Sequence, residues 1–196
     1  MKSFRPLLTI LLSALILQGC TKSVLDTTKT VVKAATPVNI GTYKPTPNDS
    51  DLSIIALEKI IASDAYQKGM RINLVTNDGR VLLIGQVDTE ENRAKIEKEV
   101  ISIKGVKEVY NQLRIGKPIS LVQQAKDSLT TIKVKAKLAG HNKINALKIK
   151  VVTENDEVFI IGTVSKETAY YATFVTRQVT GVGRVIKVFQ LLPDEE

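Results

Sequence analysis

Arg71-Ile-Asn-Leu-Val-Thr-Asn-Asp-Gly-Arg-Val-Leu-Leu-Ile-Gly-Gln-Val87 is written a second time, with changes, as Lys148-Ile-Lys-Val-Val-Thr-Glu-Asn-Asp-Glu-Val-Phe-Ile-Ile-Gly-Thr-Val164. Thr76, Val81, Ile84, Gly85 and Val87 recur as Thr153, Val158, Ile161, Gly162 and Val164, at a constant offset of 77 residues. Self-similarity at a fixed spacing means one structural unit used twice. In the first copy two runs rich in β-branched residues flank Asn77-Asp78-Gly79, a strong hairpin turn. Gly85 and Gly162 fall inside strands, where glycine weakens the strand and marks a bulge or a close helix crossing, so both are assigned structural roles.

Working outward, Leu52 to Ala65 is expected to be a helix with Ile54, Leu57 and Ile61 as its core face. Downstream, Asp88 or Thr89 caps a helix running to about Ile103, with Ala94, Ile96, Val100 and Ile103 as its apolar set. Val106 to Ile115 reads as a last strand. Gly105-Val106 and Val109 return as Gly181-Val182 and Val185, one residue having been lost between. The order is therefore α-β-β-α-β, twice. This is an α+β fold of two tandem domains, residues 51–116 and 117–196, each a three-stranded sheet with two helices on one face.

The N-terminus reads as an address. Lys2 and Arg5 precede the apolar run Leu7 to Leu17, which is too short for a bilayer core needing about 20 residues. It fits the apolar region of a signal peptide covering residues 1–19. Leu17-Gln18-Gly19-Cys20 resembles a lipobox, which makes Cys20 the lipidated residue and the new N-terminus. Several acyl chains on one cysteine give stable anchoring. Residues 20–50, with Pro37, Gly41, Pro45 and Pro47, read as a flexible linker.

Composition narrows the function. The chain has 196 residues, 43% hydrophobic and 24% charged, as in globular proteins. One cysteine excludes an internal disulfide and a multi-cysteine zinc site. The one histidine, His141, lies in a basic, polar stretch, so no serine–histidine–acid set can be built on it. Glu90-Glu91 and Asp156-Glu157 fall at a helix start and a turn, where solvated charge explains them. No catalytic residue, metal site, cofactor or small-molecule substrate is expected.

The net charge of +8 is unevenly spread. Residues 51–116 hold ten acids and ten bases, whereas residues 117–150 hold eight lysines and the single acid Asp127. In the helix of that stretch, Thr131, Val134 and Leu138 match Ile54, Leu57 and Ile61 at the repeat offset and form the expected core face. Ala125, Leu129, Ile132 and Ala136 fall opposite. Lys126, Lys133 and Lys137 flank this second stripe on one edge and Lys135 on the other. Such a stripe suits the headgroup boundary of an anionic phospholipid membrane. The alternative is that it packs against the first domain. Export and the lack of interleaved aromatics argue against nucleic acid.

Two α-β-β-α-β repeats, each with a strand ending in Ile-Gly and a later Gly-Val-x-x-Val, look like BON domains. Together with the lipobox, the tether, Val109-Tyr110-Asn111-Gln112-Leu113-Arg114-Ile115-Gly116 and Thr153-Glu154-Asn155, they resemble the dual-BON outer-membrane lipoproteins. The resemblance implies a non-enzymatic, phospholipid-binding protein facing the periplasm and maintaining the outer membrane. It also implies outer-membrane sorting, because Thr21-Lys22 places no Asp beside Cys20. In such relatives the helix matching Leu129 meets phospholipid and carries an aromatic tip where this chain has leucine. Asp156 departs from their pattern, which has Gly there, and leaves the second hairpin turn less certain. The alternative reading is a scaffold lipoprotein docking on outer-membrane protein assembly machinery, with its acyl chains as the only membrane contact.

Overall fold

The computed structural model describes residues 47–193. The signal peptide, Cys20 and the linker up to residue 46 lie outside the described residues, as do residues 194–196. The first repeat comprises α1 (Asp49–Ala62), β1 (Arg71–Asn77), β2 (Arg80–Val87), α2 (Glu90–Ile101) and β3 (Glu108–Ile115). The second comprises α3 (Leu121–Ala139), a 3-10 turn (Ala146–Lys148), β4 (Lys150–Glu154), β5 (Glu157–Val164), α4 (Lys166–Arg177) and β6 (Arg184–Leu191). The sheets run β1-β2-β3 and β4-β5-β6. In each, the hairpin pair is antiparallel and the third strand joins in parallel after a helical crossover.

The helices start where side chains can take up free amide groups. Asn48 and Asp51 form a capping box on α1, while Thr89, Ser120 and Ser165 each accept from the backbone amide three residues on. Both hairpin turns place two residues at positive φ, Asp78 (52°) and Gly79 (78°), then Asn155 (52°) and Asp156 (61°). This is the primed turn that matches strand twist. Asp156 therefore fills the second turn without glycine.

The helix registers correct one expectation. Leu52, Ala56 and Ile60 are the buried face of α1, whereas Ile54, Leu57 and Ile61 are exposed. The offset between α1 and α3 is 78 residues, so Leu52, Ala56 and Ile60 correspond to Thr130, Val134 and Leu138. Carrying the hairpin's offset back through a connection one residue different rotates α1 by about 100°. In α3, Val134 and Leu138 are core, and Thr131 is half-buried, bonded through its hydroxyl to Thr153 (2.8 Å). In α2, Ile96 and Val100 are buried and Ile103 lies just beyond the helix, but Ala94 faces solvent.

Each central strand is buried on both faces. Val81, Leu83 and Val87 of β2 meet α1 and α2, while Leu82 and Ile84 point the other way. In β5, Val158, Ile160 and Val164 meet α3 and α4, while Phe159 and Ile161 point back. These outward residues join Val188, Val75, Tyr110, Val152 and Ile186 in a third core between the two sheets. The result is four layers, helices–sheet–sheet–helices. A polar rim closes the seam: Arg71 is bonded to buried Glu154 (3.0 Å), which also accepts from Gln86 (3.0 Å). Lys150 reaches Asp49 (3.3 Å), and Arg114 reaches Glu157 (3.2 Å).

At Gly85 (φ 127°) an added Cβ would stand 2.0 Å from the Arg71 carbonyl oxygen, and at Gly162 2.2 Å from that of Lys148. The close approach comes from backbone at or just before the hairpin's first strand, Arg71 in β1 and Lys148 at the end of the 3-10 turn, not from an α-helix.

Candidate functional site

α3 is held to its sheet by one face and by one unusual side chain. Asp127 is the only acid of the helix and is buried. Its carboxylate accepts from the Asn155 amide (2.7 Å), the Asp156 amide (3.0 Å) and the Gln123 side chain (3.0 Å). It thus ties α3 to the β4–β5 turn. Asp49 does the same in the first repeat, accepting from the Asp78 and Gly79 amides (both 3.0 Å). Burial alone would raise the Asp49 carboxyl, but those amides and the Lys150 ammonium outweigh it and hold it below its ordinary value.

With Asp127, Thr130, Val134 and Leu138 turned inward, the opposite face of α3 is presented to solvent. Leu129 is 58% exposed and Ile132 63%, with Ala125 and Ala136 beside them. Lys126, Lys133, Lys135 and Lys137 are also exposed, and among the described residues none of them is in an ion pair. The stripe does not pack on the first repeat. That contact is made by the sheets, and α3 joins it only near its start, where Gln124 accepts from Arg71 (3.0 Å).

The helix begins earlier than its first-repeat counterpart, and this extends the stripe. Leu121 and Val122 are 81% and 67% exposed and fall on the same side as Leu129. Sequence reading missed them by beginning the stripe at Ala125. The Ser120 cap before an apolar pair was the available signal. The arrangement amounts to an apolar ridge bordered by cations, with no set of groups for bond chemistry. His141 is taken up structurally, its ring 5.1 Å from Tyr171 and its Nδ1 accepting from the Lys143 amide (3.2 Å). Among the described residues no His, Cys, Asp and Glu group could hold a metal ion, and no helix is long and apolar enough to cross a membrane.

Fold and surface together define a tandem α+β domain protein with an amphipathic exposed helix. The sequence profile of the BON domain matches residues 56–117 and 126–193. The outer membrane lipoprotein DolP of Haemophilus influenzae is 38% identical over 188 residues, covering 94% of this chain and 95% of its own. A 21 kDa hemolysin of Actinobacillus pleuropneumoniae is 42% identical over 129 residues, 65% of this chain and 66% of its own. Among solved structures, CdsD, a structural protein of the type III secretion system of Chlamydia trachomatis, covers 71% of this chain and 93% of its own. Its TM-score is 0.31 at 15% identity, a distance at which no common function can be read. The chain belongs to the BON-domain family, among the dual-BON outer-membrane lipoproteins of the DolP type. Its place is the outer membrane, held there by lipid.

Proposed function

We propose that this lipoprotein is a non-enzymatic binding module whose second BON domain docks on anionic phospholipid and so supports outer-membrane integrity, with Cys20 as the acylated residue. The observation that carries the reading is the outer face of α3: Leu129, Ile132 and Ala136 exposed among four lysines that have no ion-pair partner among the described residues. Each lysine near an anionic surface contributes about 1 kcal/mol, and the apolar side chains enter the headgroup boundary. The helix would then add a second membrane contact to an anchor that the acyl chains already make stable.

The test is flotation of residues 21–196, which contain all three cores and no acyl chain, on vesicles with and without phosphatidylglycerol. Expected is flotation on the anionic vesicles alone, abolished by Leu129→Glu in a protein of unchanged melting temperature. Flotation on neither kind would sink the lipid reading. The scaffold reading has its own observation. Ile54, Leu57 and Ile61 form an exposed apolar line on α1 without a lysine cluster, a surface suited to another protein such as the assembly machinery.

A further inference from the structure

The two repeats share a fold, so a surface on which they differ is one that folding leaves free. The cleft between the second helix and the third strand is such a surface. In the first repeat Asn111 of β3 spans it, donating to the Arg93 carbonyl (3.2 Å) and to Glu97 of α2 (2.9 Å). At an offset of 76 residues, set by the caps Thr89 and Ser165, these two positions become Lys187 and Thr173. Thr173 turns its hydroxyl back onto the Ala169 carbonyl (2.7 Å) and leaves the cleft open. Ala94 and Lys98 become Tyr170 and Phe174, and Ile101 becomes Arg177.

The outcome is a groove of about 590 Å³ between α4 and β6. Tyr170 and Phe174 stand on one wall with near-parallel rings (9°, centroids 6.4 Å apart) and are 66% and 51% exposed. Phe189 and Leu191 form the other wall, and among the described residues no acidic side chain lines it. Arg177 and Lys187 both reach it and have no ion-pair partner among the described residues. One rim is the outer edge of β6, which no described strand pairs. An unpaired edge offers a row of N–H and C=O groups to an incoming strand.

We propose that this groove takes an extended segment of a partner protein that adds to the edge of β6, with apolar side chains against Tyr170, Phe174 and Phe189 and acidic side chains toward Arg177 and Lys187. A strand places alternate side chains on one face, so the apolar and the acidic contacts both come from the one set of every second residue that faces the groove. An acyl chain would fill the apolar part but leave the edge amides unmatched. Two stacked aromatic side chains flanked by cations are also the kind of anchor on which interface energy concentrates. The groove is separate from the exposed face of α3.

The test is amide NMR on ¹⁵N-labelled residues 21–196. The probe is a pool of octapeptides in which every second residue, the set that faces the groove, is drawn from Leu, Val, Phe, Asp and Glu, with Ser or Thr at the positions between. The same pool with Lys for the acids and dihexanoyl-phosphatidylglycerol below its micellar concentration are the comparison arms. Expected are shifts and slowed hydrogen exchange along residues 184–191 with the acidic pool, weakened about tenfold by Lys187→Glu. Phe174→Ser should weaken it as much, and Leu129→Glu should leave it unchanged. Response to the lipid alone, equal response to the lysine pool, or no response to any probe would each overturn the proposal. Because Phe174 and Lys187 are exposed, their variants keep the wild-type melting temperature, and loss of binding reads the groove alone.

Discussion

Asp49 and Asp127 perform one task twice, each accepting from the two turn amides of its own hairpin. A carboxylate that serves buried donors is worth more than a neutral acceptor, and deleting it leaves those amides without partners. Asp127→Ala is therefore expected to destabilise by about 2–4 kcal/mol in chemical denaturation. A loss below about 0.5 kcal/mol would show that water replaces the carboxylate. Asp49 is held below its ordinary value, so the unfolded chain binds more protons than the folded one as the medium is acidified. Its contribution is complete above the unfolded aspartate value of about 3.9 and is lost as pH falls through the lower, folded value. Unfolding midpoints at pH 6 and pH 3 should differ less in Asp49→Asn than in the parent. Sequence reading saw Asp127 only as the lone acid in a basic stretch. Its role depends on a turn 28 residues away, which spacing within the helix cannot reveal.

At the scale of elements, the sequence was read well where pattern and turn chemistry agree. The first hairpin, Thr89 as one of two candidate caps, and the order of elements follow from runs rich in β-branched residues, Asn-Asp-Gly and hydroxyl residues before helices. It was read badly where α1 offers two apolar faces, Leu52–Ala56–Ile60 and Ile54–Leu57–Ile61. Bulk favours the second, whereas the first is centred on the small, fully buried Ala56. A paired substitution separates them. Ile60→Ala should cost about 2–5 kcal/mol, whereas Ile61→Ala, one position on, should stay within about 0.5 kcal/mol. Equal losses in thermal melts would contradict the burial of the Ile60 face. The apolar stripe of α3 was legible from helical pitch. Its exposure was not, because pitch fixes which residues share a face and says nothing of what covers it.

For the whole molecule, the informative residues are those of the central strands. Val81-Leu82-Leu83-Ile84 and Val158-Phe159-Ile160-Ile161 are continuous apolar runs, the mark of strands covered on both sides. Helices on one face account for only half of each run. The other half predicts a second layer, which is the opposite sheet. Because the two sheets share that core and the Arg71–Glu154 seam, the repeats should unfold together. Calorimetry of residues 21–196 is expected to give one transition, shifted down without splitting by Phe159→Ala, which should cost about 3–5 kcal/mol. Two resolved transitions would mean that the sheets associate without being coupled.

The sheet-to-sheet core has a further consequence for how duplicated copies age. On the inner face each copy is answerable to its twin: Leu82 and Tyr110 of one stand where the other has Phe159 and Ile186, all in one shared core. The outer faces carry no such tie, and there one copy has an aromatic cleft and the other a polar plug. The back-to-back layering also turns the two helical layers in opposite directions, about 30 Å apart by the usual spacing of stacked layers. A surface resting on the α3 side would leave the α1 side looking away from it. In engineering terms the body is a two-sided spacer of fixed thickness, on which one side can be rebuilt while the other stays in service.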